Sequence, residues 1–146
     1  MAHSDKISEL VQTVRLLNWE VRPKITSASA RELEGSPLHH ALADLRNSEI
    51  ETSQLIRGMS LSESAVEGDT GQVVEHVDAS TIGSRQLLSE FGTAREAILS
   101  ILRNLTDEQW AESHQTRDGD LSYEQVVDRL IESDRKNLER IQSIST

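Results

Sequence analysis

Near its end the chain reads YEQVVDRLIESDRKNLERI. On a helix, three of those residues, Ser133, Asp134 and Asn137, fall on or beside the apolar stripe. The stripe is made of Val126, Val127, Leu130, Ile131, Leu138 and Ile141, with Asp134 near its middle, Asn137 inside it and Ser133 on its flank. The same oddity occurs twice upstream, where Glu49 stands between Leu42 and Ile56 and Arg95 stands between Leu88 and Leu102. An unpaired charge is too costly to bury, so these groups are expected to meet as an internal Glu49–Arg95–Asp134 network. Two carboxylates around a guanidinium can tune one another for acid–base chemistry, but ion-pair networks that only orient helices perturb titration just as much. Orientation of helices is the expected role.

The other side chains able to do chemistry are scattered. His39 and His40 open a helix and are expected at its exposed start; His40 lies one turn before Asp44 on the same face, where the two could begin a metal site. His76, between Glu75 and Asp78, belongs to an acidic loop; His114 follows Trp110 and is expected to pack or cap locally; His3 is in the N-terminal tail. No Ser-His-Asp order with supporting turn residues is visible, and there is no Gly-rich phosphate loop. The absence of cysteine removes disulfides, thiolate metal sites and a thiol nucleophile, and fits a cytoplasmic protein.

Four long segments with a helical period must position these residues. The first begins after Ser4, read as its N-cap, carries Ile7, Leu10, Val11, Val14, Leu17 and Val21 on one face, and is kinked or ended by Pro23. A small polar link, ITSASARELEGS, leads to the second, where Ser36 caps and Pro37 takes the first turn. Its stripe is Leu38, Ala41, Leu42, Leu45, Thr52, Ile56 and Met59, with Gly58 read as the stop. A long acidic loop over residues 61–78 follows, read as either mobile or a cover over a site. The third helix is predicted over about Ala79–Asn104, with Leu87, Leu88, Phe91, Ala94, Ile98, Ile101, Leu102 and Leu105 inward. TDEQW then reads as a capped helical turn and HQTRDGD as a turn-rich loop. The fourth helix opens on a capping box from Ser122 to Gln125 and runs to about Ile144. No strand pattern competes. The expected fold is all-α, a single domain over residues 1–146 forming an antiparallel four-helix bundle with at least one long crossover.

Composition narrows the partners. Aromatics are only 3% of the chain, so the core must be built from Leu, Ile, Val and Ala. A net charge of −10 would repel phosphates and argues against nucleic acid and anionic membranes as partners. No apolar run approaches spanning length, and MAHSDKISEL lacks the apolar core of a signal peptide.

Three stretches, ALADLRNSEIE, FGTAREAILSILRNLTDEQW and GDLSYEQVVDRLIESDRKNLERI, together make the chain resemble the DinB-like (DinB/YfiT) four-helix bundles. Members of that family typically close on G-x-L-T, a His-Asp-x-x-His, then a Leu and an Ile; a phenylalanine–arginine run followed by a leucine, an acidic turn and a tryptophan is a second mark. The family usually holds a divalent metal such as zinc or nickel with three histidines. One comes from the second helix, five residues before its glutamate, and two come from the His-Asp-x-x-His. Carried over, those positions are Asp44, Ser133 and Asn137, none of them histidine. The resemblance therefore implies a degenerate site in which no metal or other cofactor is expected; His40, beside Asp44, or a loop carboxylate could serve as a substitute ligand. It also implies a homodimer, for which Leu16, Trp19, Ile50 and Ile82 lie off their helices' stripes. Three functions stay open: a metal-free bundle with a small-molecule pocket between the second and fourth helices, a metal-dependent thiol-transferase or hydrolase-like enzyme with substituted ligands, and a structural or regulatory homodimer.

Overall fold

The computed structural model describes residues 3–26, 35–61 and 81–145, and these are mainly helical. Helix α1 covers His3–Glu20, a turn at Val21 sets off the short α2 (Arg22–Thr26), and α3 covers Pro37–Leu61. Helix α4 covers Ser84–Leu102 and the one-turn α5 covers Asp107–Ala111; strands β1 (Ser113–Thr116) and β2 (Gly119–Ser122) lead into α6 (Tyr123–Ser145). No described helix is long and apolar enough to cross a membrane.

The caps explain most boundaries. Ser36 Oγ accepts the His39 N–H at 3.3 Å with Pro37 in the first turn of α3, which removes a donor the helix could not have satisfied. The α5 and α6 starts each carry a reciprocal box: Thr106 with Gln109, and Ser122 with Gln125, whose side-chain oxygen accepts the Ser122 N–H at 2.9 Å. Pro23 ends the long run of α1, since a proline cannot donate to the preceding turn.

Four sequence expectations need correction. Residues 113–122 form an antiparallel hairpin rather than a loop, with Ser113 opposite Ser122 and Thr116 opposite Gly119. Gly119 sits at φ +99°, where glycine is at ease, and the Thr116 hydroxyl ties the turn by donating to the Gly119 carbonyl at 2.6 Å. Gly58 does not stop α3, which continues through it to Leu61; Gly58 is buried beside the buried Met59, so packing holds the helix past it. Helix α4 begins at Ser84 with Gly83 as its N-cap, later than predicted. Ser4 lies inside α1, which starts at His3. The acidic stretch from 62 to 78, with His76, lies outside the described residues, as does 27–34 of the first link.

Ion pairs give the helix directions. Arg46 meets Glu90 and Glu49 meets Arg95, so α3 and α4 run the same way. Lys6 pairs with Asp128 and Thr13 with Asp134, so α1 and α6 also run together. Asp44 pairs with Arg140 while Leu55 and Val126 line one cavity, so α3 and α6 run oppositely.

The core has two halves. One gathers Leu10, Ile56, Ile98, Leu102, Trp110 and Val127; the other gathers Leu17, Leu42, Leu45, Leu87, Phe91 and Ile141. Each long helix places one buried polar residue between the two halves: Thr13, Glu49, Arg95 and Asp134. They form a polar layer across the middle.

Candidate functional site

The layer is built around Arg95, which is fully buried. Its Nε donates to Glu49 Oε2 and its Nη2 to Glu49 Oε1 at 2.9 Å. Toward Asp134 it donates at 2.8 Å and 2.9 Å, and the last N–H goes to the Leu10 carbonyl at 2.9 Å. All five guanidinium donors are thus used. Thr13, which the sequence reading did not single out, completes the set by donating to Asp134 Oδ2 at 2.8 Å. Burial pushes the Glu49 carboxyl up, and the hydrogen bonds and charge of Arg95 pull it back only in part. Burial works against the Arg95 charge as well, but the bonds to Glu49 and Asp134 outweigh it and hold the guanidinium above its usual value. With every guanidinium donor occupied, the layer is suited to fixing helix register rather than to turning over a substrate.

The three positions that the resemblance would make metal ligands lie outside this layer. Asp44 is exposed and its Oδ2 accepts from Arg140 at 2.7 Å. Asn137 donates weakly to Ser133 Oγ at 3.5 Å, one turn apart on α6, and both are half-buried. These residues do not fit a zinc or nickel ion. The only carboxylate is engaged by a cation, and the other two groups are a neutral alcohol and a neutral amide.

His40 is exposed and its ring lies 6.2 Å from that of His39. His39 itself corrects the expectation of an exposed helix start, since it is buried. Its Nδ1 accepts the Gly35 N–H at 2.7 Å, which leaves Nε2–H to donate to the Ile82 carbonyl at 2.7 Å. His39 is a clip between the approaches to α3 and α4. His114 stands edge-on to Tyr123 at 5.3 Å, and the Tyr123 phenol is pushed up to about 12 by burial, with Glu112 adding to it. His3 is not in a free tail: it is in α1 and stacks on Trp110 with ring centroids 4.4 Å apart.

Between α3, the hairpin turn and α6 runs a polar groove, where the second and fourth long helices meet and a pocket was expected. Of its polar lining the sequence reading named only Thr52 and Ser133. Its open part, about 360 Å³, is lined by Ser48, Glu51, Thr52, Arg117, Asp118 and Arg129. A narrower part of about 220 Å³ continues along α6 to Ser133 and shares Ser48, Thr52 and Arg129. The available signal was a four-residue spacing on each helix, Ser48 with Thr52 and Arg129 with Ser133, which places each pair on one face. Comparison of the chain with protein-family models, with curated proteins and with solved structures gives no match.

Proposed function

We propose that the chain is a DinB-like four-helix bundle, with α1 and α6 antiparallel to α3 and α4, that works without a metal. In this reading the groove between α3 and α6 receives a small molecule. The observation carrying this reading is the state of the three family-equivalent residues, with Asp44 committed to Arg140 and Ser133 accepting from Asn137. The motifs in the three quoted stretches support the family, and four long helices that each bury one face agree with the bundle. The enzyme alternative would need a metal held by one engaged carboxylate and two neutral groups, which is poor ligand chemistry for a transition metal.

Protein purified without chelators is expected to carry no stoichiometric zinc or nickel by elemental analysis. The combined variant Asp44→His, Ser133→His, Asn137→His is expected to take up metal in calorimetry. Two of its imidazoles would stand one turn apart on α6 and the third would come from α3. Tight metal in the parent overturns the metal-free reading; a triple variant that stays empty overturns the positional equivalence.

As part of the same reading the protein is a homodimer. Trp19 supports this: it is 82% exposed on α1, and its indole offers apolar area that a second copy would cover. Sedimentation at tens of micromolar is expected to give a dimer that Trp19→Ala weakens. A monomeric parent at that concentration would count against the dimer.

A further inference from the structure

We propose that the narrow part of the α3–α6 groove binds a short-chain monocarboxylate, with Arg129 as the group that holds the carboxylate. This rests on the reading of that groove as the ligand site and adds the ligand's chemistry. The chain has 25 acidic residues and a net charge of −10, yet the 220 Å³ cavity has no acid in its wall. Its polar lining is the Arg129 guanidinium with the hydroxyls of Ser48, Thr52 and Ser133. Arg129 faces Asp118 at 3.7 Å, beyond hydrogen-bond reach, so its planar fork is not committed to a bidentate partner.

The hydroxyls point the same way. Thr52 spends its proton on the Ser48 carbonyl at 3.0 Å, whereas Ser133 accepts from Asn137 and, among the described residues, neither Ser133 nor Ser48 donates its own proton. Two unspent O–H donors and one guanidinium on a wall without an acid favour an anion over a cation or an amide. The rest of the wall is aliphatic, Leu55, Val126 and Leu130, which gives a tail somewhere to lie. A cavity of this size falls below the roughly 300–1,000 Å³ of drug-sized sites, so the tail must be short. An acid of about four carbons satisfies charge, donors and volume together.

The test is titration of the full chain with butyrate, followed by calorimetry and by backbone amide shifts, with butyramide as the neutral isostere. Butyrate is expected to bind and to move the amides of Ser48, Leu55, Arg129 and Ser133. Arg129→Gln, a change at an exposed side chain that leaves the core intact, is expected to weaken binding about tenfold or more, the scale of a lost charge-assisted pair. The proposal is overturned if butyrate at tens of millimolar moves no groove amide, or if Arg129→Gln binds it as well as the parent does. Equal binding of butyramide would also overturn it, while leaving the groove standing as a ligand site. Metal content, measured separately, decides the metal-free reading whatever butyrate does.

Discussion

Arg95→Ala is expected to destabilise the protein by about 3–5 kcal/mol, the range for removing one partner of a buried ion pair. The substitution deletes five hydrogen bonds at once and leaves Glu49, Asp134 and the Leu10 carbonyl facing an apolar gap. Two buried acids would then have only Thr13 as a donor, on Asp134. A lysine is no remedy, because its single ammonium cannot span both carboxylates as the planar fork does. Glu49→Gln is expected to be milder than Arg95→Ala. It keeps an acceptor for Arg95 and removes a charge that burial already disfavours. Urea melts of the parent and the two variants check both statements. A loss under about 1 kcal/mol for Arg95→Ala would mean that the layer is not the buried centre described here.

Trp110→Ala is expected to cost about 3–5 kcal/mol as well, for a different reason. Trp110 is the largest fully buried side chain and sits in the one-turn α5, a segment with no amphipathic length of its own. Removing the indole opens a cavity among Leu10, Leu102 and Val127 and takes away the ring on which His3 stacks. Thermal melts give the size of the loss. Fluorescence gives an independent check, because the other tryptophan, Trp19, is exposed: iodide is expected to quench part of the parent's emission and nearly all of the variant's. Full quenching in the parent, or a loss under about 1 kcal/mol, would contradict the buried position.

What could be read in advance follows from how many residues carry each signal. Long helices announce themselves because six or more apolar residues repeat on one face, and Leu87, Leu88, Phe91, Ile98 and Leu102 are all buried. Glu49, Arg95 and Asp134 were visible because a charge in such a row is conspicuous. Thr13 was not, since a threonine on a helix face is unremarkable until its hydroxyl finds Asp134. Lys6 was missed for the opposite reason: its buried position depends on Glu124 and Asp128 of α6, and α1 alone gives no sign of them. The strands SHQT and GDLS are too short to show alternation, so only the Asp118-Gly119 turn was legible. A pocket between the second and fourth helices was expected, but most of its polar lining was hidden because ordinary residues make it, and only the tertiary arrangement puts Arg129 and Ser48 on one wall.

The shared direction of α3 and α4 sets the chain an uncommon task. Two neighbouring helices that point oppositely can be joined by two to eight residues, but here Leu61 and Ser84 stand at opposite ends of the pair. The chain between them has a helix length to cover, about 28 Å for the 19 residues of α4. A long connection is therefore obligatory on geometric grounds, whether or not it also covers a site. Its entropy of closure rises slowly, by about 0.6 kcal/mol for each doubling of length, so equilibrium stability is nearly indifferent to added residues there. The kinetics are not, because α3 and α4 share a large buried face that forms only after this closure. Folding speed, rather than stability, is where the length of that connection is felt.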